Sequence, residues 1–139
     1  MDVRLIYWPA VAMAALTFVV AVRMFRTRMA QLRREKIRLQ SVATSKDVVE
    51  KLTDSRGADN FRNLFELPVL FYLGLVIAAQ TAQVNWLTLT LAWLFVVTRI
   101  VHSYIQCTYN RVKHRFYAFV SGFFTLCAFW LVLAIGLAR

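Results

Sequence analysis

Ten residues in four stretches of this chain have the side-chain types and spacings of a site for a charged ligand. Arg62, Asn63 and Glu66 fall within about one helical turn, with Arg62 and Glu66 four apart and Asn63 and Glu66 three apart. Such intervals put side chains on one helix face. Arg99, His102, Gln106 and Asn110 follow at intervals of three, four and four, which return to one face each time. Arg111 and Arg115 are again four apart, and Arg23 stands alone upstream. Guanidinium groups hold carboxylates through paired, charge-assisted hydrogen bonds and keep their charge when desolvated. Gathered at one depth, these arginines with His102 and the single carboxylate of Glu66 make a cationic pocket suited to a small polyanion.

Each residue alone also has a structural use. Arg62 can pair with Glu66, while Arg99, Arg111 and Arg115 can extend to lipid phosphates and His102 can bond a neighbouring helix. The ligand site is favoured because four separate segments supply charge to one layer of a chain that otherwise belongs in a membrane, where charge is costly.

The elements that must position these residues are transmembrane helices. Of the 139 residues 60% are hydrophobic, well above an ordinary soluble domain, and the apolar residues form runs near the roughly 20 needed to cross a hydrocarbon core. Four helices are expected, over about residues 5–25, 60–82, 85–108 and 113–138, in a single all-α domain covering 1–139. The first run resembles a secretory signal in its small residues. Its charges fit a retained anchor better, because only Arg4 precedes it while Arg23, Arg26, Arg28, Arg33 and Arg34 follow. Pro9 lies near a helix start, whereas Pro68 lies inside the second helix and should free the Leu64 carbonyl and kink the helix there.

The net charge of +10 would suggest nucleic acid as partner in a soluble chain. Its distribution points instead to membrane topology. Eleven basic residues lie between Arg23 and Arg62 and four between Arg99 and Arg115, while residues 80–85 have none. Basic loops stay in the cytoplasm, so the segment 24–59 and the loop after the third helix face inward, and both termini face away. This suits a bacterial inner membrane and a eukaryotic endomembrane equally. Within segment 24–59, RMAQLRREKIRLQ, residues 28–40, has helix-forming composition and either extends the first helix or lies on the lipid surface. Its positive charge also attracts anionic headgroups. SRGADN, residues 55–60, is a loop and helix start with Asp59 or Asn60 as N-cap. Cys107 and Cys127 lack metal-ligand or disulfide spacing and are expected to pack in apolar surroundings.

Lipid tails solvate apolar side chains as well as other helices do, so association must come from close packing of small residues. Gly74 with Ala78 and Ala82, Ala118 with Gly122, and Ala10 with Ala14 offer such faces. Four short helices enclose little space, so a homo-oligomer with sites between subunits is expected.

FRNLFELPVL, residues 61–70, resembles the second-helix signature of the MAPEG family, the membrane-associated proteins in eicosanoid and glutathione metabolism. RIVHSYIQCTYNRVKHRFYAF, residues 99–119, resembles that family's third helix, short cytoplasmic loop and start of the fourth. The resemblance implies a homotrimer of four-helix subunits with glutathione bound between neighbours near the cytoplasmic side, acting on lipophilic electrophiles or lipid hydroperoxides as a transferase or peroxidase. By position it implies that Arg62, Asn63 and Glu66 hold glutathione, that His102 lines the site, that Arg23 matches a first-helix arginine, and that Arg115 faces the thiol. Arg99 and Arg111 belong to the same cationic layer. Two positions depart from the family pattern. Asp59 stands where the prostaglandin-forming members have an arginine, and Gln106 stands where several members have a tyrosine, with Tyr104, Tyr109 and Tyr117 nearby.

The residue chemistry fits glutathione independently. Its two carboxylates and ammonium complement the arginines and Glu66, and a guanidinium beside its thiol favours the nucleophilic thiolate. The alternative, which also fits the resemblance, is a non-catalytic lipid-binding or scaffold trimer. A small transporter fits less well, because the charges sit at one end and form no midplane relay.

Overall fold

The computed structural model describes residues 1–138 and is all helical, with no strand among them. Its elements are α1 (Tyr7–Arg34), α2 (Ser45–Lys51), α3 (Arg56–Asn63), α4 (Leu67–Gln80), α5 (Trp86–Cys107) and α6 (Val112–Leu137), with short 3₁₀ turns at Val3–Ile6 and Leu39–Val42. Four helical segments are long and apolar enough to cross a membrane: Val3–Arg34, Arg56–Gln80, Trp86–Cys107 and Val112–Leu137. The fold is the expected all-α integral membrane bundle.

α1 has 28 residues and so is about 42 Å long at 1.5 Å per residue, longer than a hydrocarbon core of about 30 Å. Of the two expected alternatives for the basic stretch, the structure adopts the extension of α1. Lys36 takes a left-handed turn (φ 52°), and the chain folds back. Leu32 and Leu52 are buried. The buried Gln31 side chain donates to Glu35 Oε1 and Thr53 Oγ1, each at 3.0 Å. α2 starts at a capping box in which Thr44 and Asp47 satisfy each other's backbone N–H groups. Segment 24–59 is thus a folded cap on the end of α1.

Two local expectations are corrected. Pro68 does not kink one continuous helix. The helix breaks between Asn63 and Leu67, with Glu66 at φ −95° and ψ −96°. A proline lacks an N–H and crowds the carbonyl four residues back, so the chain restarts α4 with Pro68 in its first turn, where no donor is needed. Neither Asp59 nor Asn60 caps α3, which begins at Arg56 after Ser55. The Ser55 hydroxyl donates to Asp59 Oδ2 at 2.7 Å, and Asn60 is fully buried.

At the opposite end Ala82 turns the chain (φ 55°), and Asn85 caps α5 by accepting from the Leu87 and Thr88 N–H groups. The core between the helices is aromatic at its centre. The Phe71 ring lies 4.6 Å from Phe95 and 6.2 Å from Phe129, with Met13, Leu75, Ala78, Ala92 and Leu133 around them. A Cβ on Gly74 would stand 2.6 Å from Phe129 Cε1, so this small residue serves packing inside the subunit. Phe18, Trp86, Phe124 and Leu131 are exposed on the outer surface, which suits a surface facing lipid or another subunit.

Candidate functional site

The break after Asn63 has a consequence for chemistry. It aims the end of α3 and the unwound Leu64–Glu66 turn toward the C-terminal half of α5 and the first turns of α6. These elements enclose a cavity of about 360 Å³. One wall carries Asp59, Arg62, Asn63 and Glu66; the other carries His102, Gln106, Val112, Arg115, Phe116 and Phe119. Six of the ten residues singled out in the sequence, Arg62, Asn63, Glu66, His102, Gln106 and Arg115, therefore meet in one space, and Asn110 is bonded to one of them.

Their bonding leaves much of their capacity open. Asn63 Nδ2 lies 3.4 Å from Glu66 Oε2, while the buried Asn63 Oδ1 has no hydrogen-bond partner in the protein. Arg115 Nη1 donates to Asn110 Oδ1 at 2.8 Å, which steadies the guanidinium at the cavity edge. The His102 ring is fixed from both sides, Nδ1 lying 3.2 Å from the Arg115 carbonyl and Nε2 2.9 Å from Gln106 Oε1. A carbonyl only accepts, so Nδ1 carries a proton. The neutral ring then needs the Gln106 amide turned to donate, and the imidazolium needs it as drawn. Ion pairs among the described residues are Arg34–Glu35 and Asp54–Arg56. Asp59, Arg62, Glu66 and Arg115 thus share a cavity without pairing. The sequence suggested a cationic pocket with one buried carboxylate. The structure instead shows two guanidiniums with two carboxylates, and Glu66 is exposed.

Three sequence candidates lie elsewhere. Arg99 is fully buried between α5 and α6. Its Cζ sits 5.4 Å from the Phe95 ring centroid and 5.2 Å from that of Phe119. Nη2 donates to the Ala118 and Phe119 carbonyls at 3.3 and 3.1 Å, whereas Nε and Nη1 are unpartnered. Because Phe119 also lines the cavity, Arg99 lies directly behind that wall. Arg111 is exposed at the N-cap of α6, outside the lining. Arg23 is exposed on another face, where it donates to the Cys107 carbonyl. It borders a groove of about 800 Å³ along α1 with Phe18, Val22 and Arg26.

Residues that the sequence did not assign to this role hold this end together. Arg56 Nη1 donates to the Thr108 carbonyl at 2.8 Å, so Arg23 and Arg56 both cap the C-terminus of α5, where cations are favoured. Arg56 is held in turn by Asp54, at 2.9 Å from Nε to Oδ1, and this guanidinium keeps the Asp54 carboxyl below its ordinary range. Buried Asn60 accepts from Ser103 Oγ at 3.2 Å and donates to Cys107 Sγ at 3.4 Å. Asn60 and Ser103 lie at helical spacing from Arg62–Asn63 and His102–Gln106, which marked the faces but not which polar residues turn inward. No group of three or more potential metal ligands occurs among the described residues.

Fold and site together define an integral membrane four-helix protein with a mixed-charge cavity at its basic end. The sequence model of the MAPEG family matches residues 6–135, nearly the whole chain, and the protein belongs to that family. No curated protein and no solved structure matches the chain significantly.

Proposed function

We propose that the protein is a glutathione-dependent transferase or peroxidase acting on lipophilic electrophiles or lipid hydroperoxides. The observation that carries this is the meeting of Arg62, Asn63, Glu66, His102 and Arg115 around one cavity of about 360 Å³, in a chain of the MAPEG family. Arg62 takes a ligand carboxylate. Glu66 and the unpartnered Asn63 Oδ1 accept from the ammonium. Arg115, anchored by Asn110, faces the thiol and favours its thiolate, the form that attacks. Arg99 adds positive potential from behind the Phe119 wall, and Arg111 does so from the rim.

The lipophilic substrate enters from the bilayer over Phe116 and Phe119. The thiolate sulfur displaces a leaving group from carbon or attacks the distal oxygen of a hydroperoxide. In the second case the O–O bond breaks, the alkoxide leaves and takes a proton to become the alcohol, and a second glutathione converts the resulting sulfenic acid to the disulfide and water. The working form is a homotrimer with the basic loops in the cytoplasm and the termini outside. In it the exposed Arg23 and the groove beside it on one copy face the cavity of the next, which closes a site that is open in the single subunit. The test is detergent-solubilised protein given glutathione and a chromogenic aryl halide. Conjugation above the uncatalysed rate is expected, and its absence, together with absent peroxidase turnover, refutes catalysis.

One feature favours a second function, a non-catalytic lipid-binding or scaffold trimer. Position 106 carries an amide bonded to His102 and therefore offers no phenolic hydroxyl to the thiol. Under this alternative glutathione binds without turnover.

A further inference from the structure

Arg115 lines the cavity, and among the described residues its guanidinium makes a single hydrogen bond, from Nη1 to Asn110 Oδ1 at 2.8 Å. An arginine only donates, so the Asn110 amide must turn its oxygen toward it. Asn110 stands outside the cavity lining, in the turn between α5 and α6. That turn is fixed by the protein alone. The Asn110 N–H returns to the Ile105 carbonyl at 2.8 Å, and its backbone is left-handed (φ 48°), a conformation that asparagine tolerates better than most side chains. Arg23 and Arg56 hold the Cys107 and Thr108 carbonyls that lead into the turn.

The chemistry of the acceptor matters as much as its place. A carboxylate here would bond the guanidinium more strongly, yet its negative charge would offset the positive charge offered to a thiolate. An amide keeps the geometry and adds no charge. We propose that Asn110 is a positioning residue which fixes Arg115 against the thiol through a neutral acceptor, so that the turn between α5 and α6 sets how readily the bound thiol ionises. This rests on the cavity binding a glutathione-type thiol with Arg115 beside its sulfur. Donors already aimed at the place where charge develops need no rearrangement during the reaction, and Asn110 supplies that preorganisation.

The experiment uses the full-length detergent-solubilised protein with glutathione and an aryl halide. It reads kcat against pH, glutathione affinity, and the ultraviolet absorbance of the bound thiolate. Asn110→Gly keeps the left-handed turn and removes the acceptor. Its kcat should fall about tenfold, the scale of a lost hydrogen bond to a charged group, with a smaller change in glutathione affinity. Asn110→Asp keeps the acceptor and adds charge, and should raise the pH midpoint of thiolate formation by about one unit, as a nearby like charge does. A role in folding alone predicts a different order, with aspartate as good as asparagine and glycine impaired only in stability. That order overturns the proposal, as does an unchanged thiolate midpoint in Asn110→Asp. Should Asn110→Gly not fold, the Asn110→Asp midpoint decides by itself. If the wild type binds no glutathione, or ionises none of it, the glutathione reading of the cavity fails and the inference fails with it. A wild type whose thiolate depends on Arg115 but not on Asn110 removes only the inference.

Discussion

Gly122 is where packing and buried charge meet most tightly. A Cβ built there would run into Arg99 Nη2, with Arg99 Cζ at 3.0 Å and Thr98 Oγ1 at 2.7 Å. Arg99 has no room to yield, being fully buried, flanked by the Phe95 and Phe119 rings and tied to two α6 carbonyls. Gly122→Ala should therefore destabilise the protein by about 1–3 kcal/mol, the usual cost of overpacking. Two of the three close contacts belong to Arg99, so most of that cost should disappear in an Arg99→Ala background, leaving only the Thr98 contact. The expected coupling is about 1–2 kcal/mol, readable in a double-mutant cycle by unfolding in mixed micelles. Additive effects within about 0.5 kcal/mol would refute the idea that the α5–α6 interface is built around the Arg99 side chain.

Other consequences are open to separate tests. A cysteine at Ser41 should react only with reagents that reach the cytoplasm and one at Thr81 with impermeant external reagents; the opposite pattern would invert the topology. Mass measurement of the detergent complex should give three copies, and a monomer that binds glutathione would contradict an intersubunit site. Asp54 should keep its hold on Arg56 well into acid. Its folded pKa lies below the ordinary 3.8, so its stabilising contribution is present above that value and is lost as pH falls through the depressed one. Exchange protection of the Arg56 amide, which donates to Asp54 Oδ1, should hold to pH 4 after correction for intrinsic rates, and loss of protection above pH 5 would contradict the linkage.

The helices were legible because a bilayer demands long apolar runs, and basic residues mark their ends. Arg62, Asn63, Glu66, His102 and Arg115 were legible as neighbours because intervals of three and four survive folding. The separation of Arg23, Arg99 and Arg111 from them was not. Depth along a helix is written in the sequence, but which way a residue faces among several helices depends on packing, and Arg99 turns behind Phe119 by one such difference. Asn60 was misread because a helix cap and a buried hydrogen-bonding residue use the same side chain. Pro68 announced an interruption, and whether that became a kink or a full break depended on the Leu64–Glu66 turn being able to find other partners. Asp59 drew attention only as a departure from a pattern, and its place in the cavity required the structure.

The thiol-activating role given to Arg115 is tested most directly by steady-state kinetics with glutathione and an aryl halide, comparing Arg115→Ala with Arg62→Ala. Arg115→Ala should lower kcat far more than it weakens glutathione binding, because its interaction strengthens as charge develops on sulfur. Raising the pH should partly restore it as solvent base supplies thiolate. Arg62→Ala should do the reverse, weakening binding by about 1.5–3 kcal/mol, the range for a hydrogen bond to a charged group, with a smaller effect on kcat. Full turnover in Arg115→Ala, with wild-type dependence on pH, would contradict its assignment as the residue that activates the thiol.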